Sequence, residues 1–214
     1  MTPRWVLPVR YRGAPLLVFS SVLFAVMALC TRLLSGRLSP GQVASGRFLI
    51  GLLFLAAYYP AMGRRPRFGR LPLWVLRGVF GGAAVVVVRA LRHETDAATV
   101  FLSFCLFGLL FSLPFALHDW RPLGWDVALP LLGVGLTSVV AQMTFTYAFG
   151  YVTAVAGGVA TQLTPVFSWV LGAVLLGEAV SPLAVTGALV CMVGVLWGTG
   201  MLERWRATPA RTAP

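Results

Sequence analysis

AATVFLSFCLFGLLFSLPFAL, residues 97–117, runs for 21 residues without one charged side chain. At 1.5 Å of rise per residue a helix of that length is about 31 Å long, which matches a hydrocarbon core of about 30 Å. The run is continuous and does not alternate polar with apolar residues, so it reads as a membrane-spanning helix and not as a barrel strand. Comparable runs occupy residues 14–34, 40–62, 127–149, 152–176 and 182–201. Composition points the same way: 58% of residues are hydrophobic and 11% charged, with a mean hydropathy of +0.86. Soluble domains carry roughly 25% charged residues. A chain this poor in charge cannot clothe a globule in polar surface and needs lipid as its solvent. Its 214 residues hold six or seven spans with little left for a soluble domain.

The net charge of +11 invites a nucleic-acid reading. The arginines, however, sit at the ends of apolar runs and not in one patch, which is how basic residues mark cytoplasmic loops. No nucleic-acid partner is expected. Every basic residue is Arg, and the absence of lysine excludes a retinal Schiff base and with it a seven-helix photoreceptor. Cys30, Cys105 and Cys191 all lie in apolar runs without zinc-ligand spacing, and read as small buried residues facing other helices. Arg4, Arg10 and Arg12 precede the run 14–34, which is too long for a signal-peptide core and has no A-x-A site after it. It reads as an uncleaved first span.

Residues 71–90 break the pattern. Arg77 interrupts them, and the apolar stretch 78–88 covers only about 16 Å, half of a hydrocarbon core. Charge bias decides between two topologies. If 71–90 crosses, Arg89, Arg92 and the tail arginines Arg204, Arg206 and Arg211 fall outside. If it does not, they join Arg64, Arg65, Arg67 and Arg70 in the cytoplasm. The second arrangement obeys the positive-inside rule far better. The expected fold is therefore an all-α polytopic membrane helix bundle. It has six full spans plus a short re-entrant or interfacial helix, with both termini cytoplasmic; the alternative has seven spans. Residues 1–70 hold two spans and a basic cytoplasmic loop, 71–96 the short helical segment, 97–202 the later helices and 203–214 a disordered tail.

Two stretches align at an offset of 57. Residues 30–60 lie over 87–117, with Arg32 on Arg89, Val43 on Val100, and Gly51-Leu52-Leu53-Phe54 on Gly108-Leu109-Leu110-Phe111. Internal repeats of this kind characterise secondary transporters. Further motifs carry a family resemblance: Ser45-Gly46-Arg47-Phe48-Leu49; Leu163-Thr164-Pro165-Val166-Phe167; Leu175-Leu176-Gly177-Glu178; Thr186-Gly187-Ala188-Leu189; and Val193-Gly194-Val195-Leu196. In order and spacing the chain resembles the EamA branch of the drug/metabolite transporter (DMT) superfamily, over its first two helices and roughly its last 90 residues. The resemblance implies transmembrane transport by two inverted five-helix halves. This chain has no counterpart for the stretch from mid-helix three to mid-helix six. A segment that enters like the third helix and leaves like the sixth need not cross, which agrees with the charge argument for 71–90.

Arg47 is the one charge well inside an unambiguous span, about 12 Å from the Ser39 end. Holding it there costs about 2.5–3.5 kcal/mol on insertion scales unless it snorkels or finds a partner. One reading has it contact a carboxylate or phosphate of a substrate; the other has it snorkel or bind backbone carbonyls. Gln142, Thr144, Thr146 and Tyr147 on one span and Thr161, Gln162, Thr164 and Ser168 on the next form the densest polar group. They read either as a hydrogen-bonding substrate pocket walled by Tyr147 and Trp169, or as interhelical hydrogen bonding. Pro165 marks a helix break of the kind found at transporter sites. The candidate substrate-binding set is thus Arg47, Gln142, Tyr147, Thr161, Gln162, Thr164 and Trp169.

No acidic residue lies within a span, which argues against a proton relay through an intramembrane carboxylate. Glu178 is read as a charge near the N-terminus of the last helix. The close spacing of Gly78 and Gly82, Ala154 and Gly158, and Gly194 and Gly198 permits tight helix packing or a homodimer. His93-Glu94-Thr95-Asp96 are consecutive and read as a loop; no metal site, cofactor or catalytic set is expected. The expected function is a secondary transporter of small polar metabolites in a bacterial-type cytoplasmic membrane. The competing readings are a truncated, non-transporting membrane scaffold and a membrane-embedded enzyme.

Overall fold

Ser39-Pro40-Gly41-Gln42 shows how directly this sequence writes its helix starts. Ser39 is extended, its hydroxyl accepts from the Gln42 N–H at 3.3 Å, and the Gln42 side chain accepts from the Ser39 N–H at 3.1 Å. This reciprocal box satisfies two of the donors that a helix start leaves free, and Pro40 occupies the first helical position, where no N–H is needed. The computed structural model describes residues 9–66, 72, 75, 96–152, 154–179 and 181–198. Within them lie α1 (Val9–Leu33), α2 (Pro40–Ala61), α3 (Ala97–His118), α4 (Trp125–Ala148), α5 (Ala154–Ala160), α6 (Leu163–Leu176) and α7 (Pro182–Gly198), and no strand. The fold is the expected all-α helix bundle.

Five stretches are long and apolar enough to cross a membrane: Gly13–Leu33, Pro40–Ala61, Ala97–His118, Trp125–Ala148 and Gly157–Leu176. The 17 residues of α7 reach roughly 25 Å. The expected short helix at 71–90, Arg77, the Gly78–Gly82 pair, Arg89, Arg92, His93-Glu94-Thr95 and the tail 203–214 lie outside the described residues, apart from Pro72 and Val75.

Polarity runs inside out. Ser20, Ser21, Ser45, Thr99, Ser103, Ser138, Gln142 and Thr146 are buried, whereas Leu53, Leu110, Phe115 and Val174 are more than 60% exposed. In water this would be a liability; in lipid it turns polar groups toward protein and leaves apolar ones to the acyl chains, although the Ser21 and Thr146 hydroxyls find no partner among the described residues. Trp125, 94% exposed at the start of α4, has the placement of an interface anchor.

The helices pack in the order α3–α2–α4–α1–α6, with α7 against α5 and α6. At one end of the bundle Arg37 pairs with Asp126 at 3.3 Å, Arg32 with Glu178, and the Gln42 side chain donates to the Arg121 carbonyl at 2.7 Å. Those contacts gather the ends of α1, α3 and α6 with the starts of α2, α4 and α7. The α1–α4 seam is closed by Phe24 and Phe145, which meet edge-to-face, and by Ser20, whose hydroxyl donates to the Ala141 carbonyl.

The repeat seen in the sequence is inverted in space. α2 and α3 run antiparallel: Gly41 abuts Ala116, Ser45 Oγ lies 2.9 Å from Ser112 Oγ, and Tyr59 Oη lies 2.9 Å from Thr99 Oγ1. Gly51 gives way to Cys105, and Gly108 gives way to Phe48. At the offset of 57, Gly51 corresponds to Gly108 and Phe48 to Cys105, so these are one contact made twice. A local two-fold axis across the helices relates them, and at both places a missing Cβ admits a large neighbour.

The expected single span 152–176 is interrupted. Thr161 and Gln162 form a turn between α5 and α6, where the Gln162 N–H reaches only back to Val159 and the Thr164 N–H to Thr161. Pro165 stands one turn further on: it offers no N–H to the Thr161 carbonyl, and its ring crowds that oxygen. At its far end α6 stops at Gly177, whose φ of 63° is left-handed, with the Glu178 N–H turned back to the Gly172 carbonyl. Glu178 is held by Arg32, a partner that its sequence position near the last helix did not reveal.

Candidate functional site

α1 and α2 both pack on α4 and barely touch each other. The gap between them is a cleft of about 620 Å³, within the range of small-molecule sites. It lies toward the end of the bundle where Arg37 pairs with Asp126 and Arg32 with Glu178. Arg32, Gly36 and Arg121 rim it, Met27, Val43, Ala44 and Val134 wall it, and Arg47 lies deepest along α2.

Packing holds Arg47 in place. Its Nε donates to Ser138 Oγ at 2.6 Å, which joins α2 to α4. Its guanidinium carbon lies 5.4 Å from the Phe48 ring centroid and 5.3 Å from that of Phe104, whose rings meet edge-to-face. Both rings are within cation–π range. Phe104 is the repeat counterpart of Arg47, so the contact straddles the local two-fold axis. Arg47 is partly buried and engaged by protein side chains on α2, α3 and α4.

The rim arginines are compensated. Arg32 pairs with Glu178, and Arg121 contacts Asp119 at 3.4 Å and donates to the Gly36 carbonyl at 2.8 Å. Among the described residues no carboxylate contacts Arg47, and no acidic side chain lines the cleft.

The other sequence candidates lie elsewhere. Gln142 is buried on α4, one turn beyond Ser138. Tyr147 lines a second cavity of about 410 Å³ at the opposite end, together with Tyr58, Arg64, Asp96 and Thr144. Tyr147 also accepts a hydrogen bond from the Tyr151 hydroxyl. The Thr161 hydroxyl donates to the Gly158 carbonyl of the preceding helix α5, Gln162 is exposed, and Thr164 and Trp169 are partly buried on α6. Thr161, Gln162, Thr164 and Trp169 line neither cavity. Sequence reasoning did not single out Ser138, Arg32 or Arg121 as site residues. Ser138 was detectable as the residue one turn before Gln142; Arg32 and Arg121 looked like ordinary loop charges. Among the described residues, no three His, Cys, Asp or Glu side chains gather as a metal site.

The EamA-like transporter family matches residues 71–199, more than half of the chain. The match covers α3 to α7, while α1 and α2, with Arg47, precede it. No curated protein and no solved structure matches the chain.

Proposed function

The chain belongs to the EamA-like transporter family, and we propose that it acts as a secondary transporter, moving a small polar metabolite across a bacterial-type cytoplasmic membrane without ATP. The observation that carries this reading is the cleft of about 620 Å³ between α1 and α2, with Arg47 at its floor and Ser138 behind it. Both termini are assigned to the cytoplasm. At the cleft end Arg32, Arg37 and Arg121 are offset by Glu178, Asp126 and Asp119. At the other end Arg64 and Arg65 begin the most basic loop of the chain. The positive-inside rule then places the cleft mouth outside.

Purified protein in liposomes, offered radiolabelled amino acids, organic acids and sugars, is expected to give saturable uptake of one class without nucleotide. The absence of saturable flux across such a panel would favour the scaffold reading, which draws its support from the missing middle helices.

A further inference from the structure

We propose that the ligand of the α1–α2 cleft is a small organic anion, held by one carboxylate or phosphate group against the terminal nitrogens of Arg47. The inference names the substrate class of the transport site proposed above, and rests on that reading for its physiological meaning. The binding claim itself rests on geometry.

A guanidinium carries five N–H donors in a fixed plane. Only Nε of Arg47 is engaged among the described residues, by Ser138. The terminal nitrogens keep four donors, the set that grips a carboxylate or phosphate through two parallel hydrogen bonds. Phe48 and Phe104 contact the guanidinium through their rings. Aromatic rings stabilise the cation without accepting its in-plane hydrogen bonds, so the donors stay available. The Nε bond to Ser138 fixes the orientation of that plane and lowers the entropy lost when a ligand is gripped.

Charge selects the sign of the ligand. Three arginines line the cleft and no acid does. The two at the rim have carboxylate partners, Glu178 for Arg32 and Asp119 of its own loop for Arg121, and among the described residues Arg47 has none. A cationic solute meets the uncompensated charge of Arg47 at the floor, and a neutral one leaves that charge uncompensated in a medium where Coulomb terms are strong. An anion removes that penalty. Met27, Val43, Ala44 and Val134 line much of the wall with carbon, and Thr31 and Ser35 add two hydroxyls, so the favoured ligand has one acidic head on a compact body that is apolar in part.

Benzoate and phenylphosphate are suitable probes, with benzamide as the neutral partner of benzoate. Binding is measured by calorimetry on the full chain in lipid nanodiscs, apart from any flux assay. Benzoate and phenylphosphate are expected to bind saturably and to compete with each other, and benzamide to bind at least about tenfold more weakly, as befits a charged hydrogen bond. Arg47→Gln should remove that preference. Arg47→Lys keeps the charge without the fork and should retain the preference at reduced affinity. Equal binding of benzoate and benzamide by the unaltered protein would overturn the proposal, even if neither variant folds. So would benzoate affinity unchanged in folded Arg47→Gln. Saturable, Arg47-dependent anion binding without flux in liposomes would sink the transport reading alone. Flux of a neutral or cationic solute with no anion binding would sink this inference alone.

Discussion

Replacing Gly41 by Ala tests whether α2 and α3 pack as closely as described. A Cβ at Gly41 would sit 2.6 Å from the Ala116 nitrogen and 2.6 Å from the Phe115 carbonyl carbon. Both are backbone atoms, so no rotamer change relieves the clash. Ordinary contact begins near 3.4 Å, and the helices must therefore part by about 0.8 Å at this end. Overpacking of this kind costs about 1–3 kcal/mol, offset by up to about 1 kcal/mol from the better helix propensity of Ala. Against a glycine-to-alanine control that gains the same propensity, the loss is about 1–3 kcal/mol. Gly187 on α7 is the control, because a Cβ there meets nothing within 4 Å. Gly187→Ala should be neutral or slightly stabilising. Reversible unfolding in mixed detergent and SDS micelles, followed by circular dichroism, reads both variants. A Gly41→Ala protein as stable as the Gly187→Ala control would refute the close approach and the two-fold packing built on it.

Three further outcomes are expected, two from the geometry and one from the charge bias of the loops. In a background lacking Cys30, Cys105 and Cys191, the pair Ser45→Cys and Ser112→Cys should cross-link on mild oxidation, since the hydroxyl oxygens lie 2.9 Å apart; reducing and non-reducing gels report it. Glu178→Gln should cost less than about 1 kcal/mol, because the Arg32 and Glu178 side chains are 39% and 43% exposed and water screens the pair; the same unfolding assay measures the loss. A single cysteine at Thr95, in the same background, should resist a membrane-impermeant maleimide in intact cells and react after lysis. Labelling from outside would mean that residues 71–90 cross the membrane and that there are seven spans.

The local rules were legible in the residues. Ser39, Pro40 and Gln42 spell a helix start that forms with both side-chain bonds made, because a capping box needs only neighbours in sequence. Pro165 announces an interruption one turn before itself for the same reason. The uncharged run 97–117 became α3 (Ala97–His118), since length and apolarity alone match a helix to a bilayer. The repeat offset of 57 set Gly51 on Gly108 in the sequence, and the structure adds that the two repeats pack on each other, so that each glycine admits the equivalent partner, Cys105 or Phe48.

What the sequence by itself determined is the solvent of this protein, its helical class and its family. Only the tertiary structure decided that α1 and α2 lean on α4 and leave a cleft between them, that Ser138 and two phenylalanine rings hold Arg47 at its floor, and that Tyr147 belongs to the opposite end. In a soluble helix an apolar stripe tells which face turns inward. These helices are apolar all round, and lipid is as apolar as a helix neighbour, so the hydrophobic pattern does not rank one face over another. Steric fit at glycines and a few buried hydrogen bonds choose the partners, and those reside in pairs of residues far apart along the chain.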